Sequence, residues 1–460
     1  MPDLPTIERT LQTLFTTEAD QIARQTSLVQ RRSKLTGPLI VLVLGAGFLQ
    51  HPTASYNILA QVAADHGVSV TRQAVHARLT AAAVAFFRAL FQRSLDLLQQ
   101  SVRLPIPILT QFRAVYLLDS SQVALPEGLA EQYPGTGGDG PQAGIKWQVL
   151  WEVLAGNLRA VLGQPAKQSD QRAAATLPGL EAGSLLLCDL GYVALCLLAA
   201  LIAHGVYFIC RWNPRFEAFT PTGQPLDLRD HLARCPTDLV ELSLCVGVRA
   251  QLPLRVVASR VPPQVREQRR RRAHATEKKR GFQYSQAYLL LLDWNIYITN
   301  VAEEQLSGAQ VRLVYGARWQ IELLFKLWKS AGELANVRGQ QTGRVLCELY
   351  AKLIGLAVFG YLSAPVRLTE EAELSPVKAW QVWQRQSGRV AAALRSGSGL
   401  AGILAQVYRL WQQFALKERR WDRPTTFQEL QGQPLQKQPQ SYCRPRVSTS
   451  GLTEFVKSFT

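Results

Sequence analysis

Tyr315, Arg318, Glu322, Lys326 and Lys329 lie in one short run, Tyr315-Gly-Ala-Arg318-Trp-Gln-Ile-Glu322-Leu-Leu-Phe-Lys-Leu-Trp-Lys329. Read as a helix, Tyr315, Arg318, Glu322 and Lys329 fall at offsets 0, 3, 7 and 14, close to the 3.6-residue period, so they share a stripe that Lys326 joins. Ile321, Leu324, Phe325 and Trp328 fall between them and can pack the other side into a core. A carboxylate on a rigid helix among an arginine, two lysines and a phenol serves no packing need. It suits a phosphodiester, with cations on the phosphates and the carboxylate on a metal ion.

Two further carboxylates stand on elements that can meet that helix. Ala114-Val-Tyr-Leu-Leu-Asp119 and Leu185-Leu-Leu-Cys-Asp189 each read as a buried strand ending in an aspartate. Between them, residues 146–154 and 158–162 read as a hairpin joined at Gly156-Asn157, and Ser169 opens a short capped helix. After Asp189 come an apolar helix (192–204), a strand (206–212) and, much later, the Glu322 helix. That is the ribonuclease-H-like order: α/β class, a mixed sheet flanked by helices. Three carboxylates gathered there repel one another unless a divalent cation intervenes. Mg²⁺ takes oxygen ligands and keeps several waters, and two ions about 4 Å apart stabilise both the entering and leaving oxygens of an in-line displacement. The expected catalytic and metal-binding set is Asp119, Asp189 and Glu322, holding two Mg²⁺ ions for which Mn²⁺ can substitute.

The rest of the chain is read around this centre. Residues 1–105 are expected to form a helical DNA-binding domain. Within it, Val62 to Arg78 has the outline of a helix-turn-helix: Gly67 turns, Thr71 caps, and Arg72, Gln73, His76 and Arg78 ride the second helix. A packing hairpin has the same outline. Residues 106–213 and 301–362 are the two parts of the catalytic domain, interrupted by a β-rich insertion at 214–300. A helical C-terminal region and irregular tail occupy 363–460. Inside the insertion, Arg266 to Arg280 carries eight positive and two negative charges in fifteen residues. It reads as a phosphate-tracking segment through residues such as Arg270 and Arg271, against the alternative of a merely solvated helix face.

Composition is consistent with a polyanionic partner. In the 460 residues, Lys plus Arg outnumber Asp plus Glu by 51 to 34, a net charge of +17. The seven cysteines are scattered without a CxxC pair and read as free thiols in a reducing compartment. The apolar stretch Leu185 to Cys210 is broken by Asp189, Gly191, His204 and Gly205, so it reads as strand, helix and strand and not as a membrane span. The first residues show no secretory signal, and a cytoplasmic location is expected.

The spacing Tyr-x2-Arg-x3-Glu-x6-Lys resembles the signature of the IS4-type DDE transposases. Leu118-Asp119-Ser120-Ser121 is similar to that family's first aspartate motif, more often Asp-Ser/Gly-Thr, and Cys188-Asp189-Leu190-Gly191-Tyr192 to its second, usually Asp-Arg-Gly-Tyr. Leu190 stands where an arginine is common, which removes one potential phosphate contact. Val206 to Arg211 resembles the strand that follows, and the matching blocks span roughly residues 115 to 335. The resemblance implies a transposase of a bacterial insertion sequence, acting on inverted-repeat ends and target DNA, as a homodimer once assembled on DNA. Water attack would free a 3′-hydroxyl, which then attacks target DNA. It implies Asp119, Asp189 and Glu322 as the metal triad, and Tyr315, Arg318 and Lys329 as phosphate grips near the transposon end. It also implies that Trp294 fills the gap left by a flipped base, although packing onto the core is the equal alternative. A DNA-binding protein that has lost catalysis, or a nuclease without joining activity, are the other readings.

Overall fold

Ten strands form one mixed sheet in the computed structural model, which describes residues 4–432 apart from 32, 139, 175–178, 370–371 and 419–423. The strands are β1 (Val115–Leu125), β2 (Ala143–Glu152), β3 (Asn157–Pro165), β4 (Leu185–Cys188) and β5 (Tyr207–Arg211). They are followed by β6 (Ala218–Phe219), β7 (Pro225–Leu226), β8 (Leu239–Val246), β9 (Leu252–Arg260) and β10 (Trp294–Thr299). Their spatial order is β3-β2-β1-β4-β5-β10-β9-β8-β6-β7. The first five make an antiparallel hairpin pair on β1, with β4 and β5 parallel beside it, which is the ribonuclease-H-like arrangement. Side chains alternate across it as strand period demands. Val115, Leu117, Leu185, Leu187 and Ile209 enter one core, and Tyr116, Leu118, Leu186, Cys188, Phe208 and Cys210 the other.

The strands expected to form an insertion extend this same sheet. β10 pairs antiparallel with β5, Tyr297 opposite Arg211, so the free edge of β5 is covered. The basic segment is a helix, Pro263–Arg280, and residues 286–291 form a short helix capped by Ser285 ahead of β10.

The N-terminal helices also belong to the main body. Helix Gly37–Gln50 is apolar on every side and buried along most of its length, so it cannot be the outer layer of an independent domain. It packs between Pro376–Ser396 and the central helix Thr342–Ser363. That central helix is long and apolar enough to cross a membrane, and its apolar window is 94% buried inside the chain. It carries a buried charge ladder: Glu348 accepts from Lys352 Nζ at 2.9 Å and pairs with Arg344 at 3.3 Å. Arg344 also donates to the Ala54 carbonyl and lies over the rings of Phe48 and Tyr56, while Lys352 donates to the Glu333 and Asn336 carbonyls. The ladder thus ties the N-terminal helices to the segment after the Glu322 helix. Near the end of the described chain, Thr425 and Gln428 form a capping box on helix Thr426–Leu430, which buries Phe427 and Leu430; the rest of the expected tail lies outside the described residues.

Candidate active site

Leu118 and Cys188 form the last rung between β1 and β4. Asp119 is the next residue on β1 and Asp189 the first beyond β4, still extended, so their backbones run side by side at about the 4.8 Å spacing of paired strands. By strand alternation both fall on the face of Leu117 and Leu187, opposite Leu118 and Cys188. Asp119 does not end its strand, because β1 continues to Leu125 paired with β2 alone. Cys210 is the partner of Cys188 on β5, so Arg211 extends the row by one place.

The third carboxylate comes down onto this row from above. Ser307 and Gln310 form a capping box that starts helix Gly308–Tyr315. A 3-10 turn at Gly316–Arg318 leads into helix Trp319–Lys326, and a π turn at Leu327–Ala331 follows. Tyr315 is buried, its hydroxyl donating to the Cys188 carbonyl at 3.4 Å and its ring packed on Tyr297. That contact fixes the helix to β4 one residue before Asp189. One turn later, Arg318 Nη1 donates to Asp119 Oδ2 at 2.9 Å and Nη2 donates to Glu322 Oε1. A single guanidinium therefore joins the strand carboxylate to the helix carboxylate.

Asp119 carries the electrostatic cost of this crowding. Burial pushes its pKa up to about 6; the Ser120 N–H and Arg318 oppose the rise, and the carboxylates of Asp189 and Glu322 add to it. Three hard oxygen donors on two strands and a helix match a divalent cation in chemistry. Among the described residues no three ligand side chains already converge on one ion position. Asp119 and Glu322 hold Arg318 instead, so an ion shared by them competes with the guanidinium for the same oxygens.

Behind Asp119, on the opposite face of the sheet, lies a second polar layer. Asp170 accepts from Ser120 Oγ at 3.2 Å, Lys146 Nζ at 3.1 Å and Gln148 Nε2 at 2.7 Å, and the buried Gln148 accepts from Tyr192. Ser120 adjoins Asp119, and Tyr192 lies just beyond Asp189. Asp170 and its partners thus brace β1 at Asp119 and the turn after Asp189 from behind.

The chain is similar to known proteins along most of its length. The family model described as transposase DDE domain matches residues 110–357, a span that takes in all three carboxylates. The chain belongs to the DDE transposase family. It is 26% identical over 439 residues to the transposase of insertion sequence element IS231E of Bacillus thuringiensis subsp. finitimus, covering 89% of this chain and 91% of that protein. It is 24% identical over 447 residues to the transposase of IS1151 of Clostridium perfringens, covering 90% and 93%. The piggyBac transposase synaptic complex with hairpin DNA superposes with a TM-score of 0.47 at 10% identity, over 99% of this chain and 90% of that one. DDE transposases are enzymes that cut and transfer DNA strands, generally with divalent metal ions.

In this transposase the residues expected to touch DNA divide into two groups. Lys326 and Lys329 are exposed beside Glu322, although the π turn moves Lys329 off the stripe of a regular helix. Arg72 is exposed on the short helix Arg72–Arg78, which Thr71 caps after the turn at Gly67. The others are engaged in the protein. Tyr315 is an anchor for the helix, as described. Arg78 donates to the Leu28 carbonyl and to Ser33, and Arg270 pairs with Asp293 at 2.8 Å. Arg271 is exposed but paired with Glu267. Trp294 is 4% exposed in the second core, with the Arg260 guanidinium 4.5 Å above its ring. Its register on β10 points it to the face opposite Asn295 and Tyr297, away from the carboxylates, so its place is in the core. The aromatic side chain that is open at the site is Trp319, 53% exposed between Arg318 and Glu322. Two more site features emerge only in three dimensions: the Asp170 layer, and Arg269, which leans from the basic helix to share the Asn295 side-chain oxygen with Arg211.

Proposed function

We propose that this transposase cuts DNA at the inverted-repeat ends of an insertion sequence and joins the freed strands to target DNA in the bacterial cytoplasm. Asp119, Asp189 and Glu322 would hold the divalent cation, Mg²⁺ in two sites with Mn²⁺ as a substitute. The observation that carries this reading is the adjacency of Asp119 and Asp189 on neighbouring strands, joined to Glu322 through one arginine. When bound, the cations supply Lewis-acid stabilisation of the entering and leaving oxygens of an in-line displacement.

The chain's own residues do the rest. Arg318, released from Asp119 and Glu322, becomes free to hold a phosphate bidentately. Arg211 gives the Asn295 amide oxygen one long contact at 3.4 Å and makes no ion pair among the described residues, which leaves its guanidinium to a phosphate next to Asp189, with Arg269, held on the Leu292 and Trp294 carbonyls, adding positive charge behind it. Lys326 and Lys329 neutralise the backbone further along, and Trp319 offers an indole face to a base. Tyr315 and Asp170 act as positioning residues for the carboxylates. Two copies assembled on DNA would bring the two ends together.

Asp189→Cys tests the assignment directly. A thiolate is a poor ligand for Mg²⁺ and a better one for softer ions. The variant should fail to nick end-bearing DNA in Mg²⁺ and recover nicking in Mn²⁺. Equal nicking in Mg²⁺ by the variant and the parent protein would remove Asp189 from the site.

A further inference from the structure

The basic helix Pro263–Arg280 ends in a cluster of aromatic rings that the catalytic site does not use. Its inner side is fixed: Arg269 donates to the carbonyls of Leu292 and Trp294, and Arg270 pairs with Asp293. Its last residues, Lys278, Lys279 and Arg280, are exposed and make no ion pair among the described residues. Gly281, with φ of 69°, ends the helix in a left-handed turn. The chain then returns, and Glu277 accepts the Tyr284 backbone N–H at 2.6 Å, clamping the return segment to the helix. Tyr284 and Tyr288 stack at 4.2 Å with their planes 17° apart, and Phe282 meets Tyr284 edge-on at 4.8 Å. Phe282 is 40% exposed and Tyr288 37%.

We propose that this tip is a binding surface for DNA with unpaired bases. The parallel pair of Tyr284 and Tyr288, with Tyr288 open on its outer side and the exposed Phe282 edge-on beside it, presents to solvent what a base presents to its neighbour, a flat π face. Three cations in the adjoining helical turn supply the charge that a phosphate backbone needs, which favours nucleic acid over an apolar protein partner at the same rings. The tip is also continuous with the candidate site. Arg269 stands at the catalytic edge, and the eleven residues from it to Arg280 span about 16 Å of helix. At 3.4 Å per nucleotide that is roughly five positions along one strand. A strand leaving the cleavage site along this helix would reach the rings where the duplex has opened. The location along the strand rests on the catalytic reading above; the preference for unpaired bases does not.

The test uses the full chain in EDTA, so that no cleavage occurs. Fluorescence anisotropy would compare a 20-nucleotide single strand with a blunt duplex of the same sequence, neither carrying end sequences. Base stacking of about 1–3 kcal/mol per base converts to roughly five- to a hundredfold in affinity. Phe282→Ala/Tyr288→Ala, which leaves the clamped Tyr284 in place, should therefore weaken single-strand binding at least fivefold and change duplex binding less than twofold. Phe282→Trp/Tyr288→Trp should retain single-strand binding. Equal losses on both DNAs, or no loss on either, would overturn the proposal, the second result leaving the rings as a protein-docking surface. Photocrosslinking with 5-iodouracil stepped along an end-bearing strand should then label Tyr288 about five nucleotides from the cleavage position. Labelling elsewhere on the strand, with the single-strand preference intact, would place the fault in the catalytic reading.

Discussion

Replacing Asp119 with asparagine should stabilise the metal-free protein while abolishing its chemistry. In the folded chain the Asp119 pKa rises from 3.8 to about 6, chiefly because the carboxylate is buried, with Asp189 and Glu322 adding to it. The raised value means that the folded state holds the proton more tightly than the unfolded chain does. Below about pH 4 both states are protonated and the group has no effect. As pH rises from about 4 to 6 the unfolded chain ionises first, so folding stability falls, and above about 6 the full loss is present. A shift of this size corresponds to about 3 kcal/mol at 1.36 kcal/mol per unit, and the side chain is 19% exposed, so solvent screening discounts it little. The amide of Asp119→Asn cannot ionise, and it still offers Arg318 an acceptor. Denaturant melts in EDTA should therefore show the variant equal to the parent near pH 4 and more stable by about 1–3 kcal/mol at pH 7.5. Added Mg²⁺ should raise the parent's stability and leave the variant's unchanged. A variant that is less stable at pH 7.5, or a stability difference that does not vary with pH, would refute this account of the site.

Other expectations follow from the packing. Glu348→Gln leaves Arg344 and Lys352 buried without a counter-charge and should cost about 3–5 kcal/mol, read from the same melts. Trp294→Ala should destabilise by about 3–5 kcal/mol and leave the signal of a 2-aminopurine probe near the cut unchanged once folded protein is selected; a lost signal would return the residue to the DNA. Deleting residues 1–105 removes the buried helix Gly37–Gln50 and should yield insoluble or molten protein, so Arg72→Ala, assayed by end binding against competitor DNA, is the fitting probe of the helix-turn-helix. Binding to any duplex should weaken steeply with salt, given the net charge of +17, and a flat salt dependence would exclude phosphate-led binding.

The sequence carried the elements best where a period or a spacing was strict. The apolar runs ending at Asp119 and Asp189 gave the two central strands, because strands covered on both faces leave a continuous signal. The Glu322 helix was visible from its apolar positions. What lay beyond a single sequence was relational. Which edge β10 would choose depends on long-range pairing, so strands that read as an insertion extended the catalytic sheet. Trp294 read equally as a base contact or a core residue, and only its register, on the face of the second core, separates the two placements. Arg318 and Tyr315 sat correctly on one stripe, yet pattern cannot reveal that the first bridges two carboxylates and the second is buried against the Cys188 carbonyl. Asp170 gave no signal at all, since its hydrogen-bond partners come from β1 and β2.

The central claim is that Asp119, Asp189 and Glu322 together perform strand cleavage, and the most direct measurement is nicking of end-bearing DNA by the Glu322→Gln protein in Mg²⁺. The substrate is the DNA that flanks the gene, including its inverted repeats, with end binding measured on the same samples. The glutamine side chain keeps the size of the original and an acceptor for Arg318, and loses the charge that a cation needs. The account predicts end binding close to that of the parent protein and nicking reduced to background, with Asp119→Asn and Asp189→Asn behaving alike. Nicking by Glu322→Gln near the parent rate would contradict it.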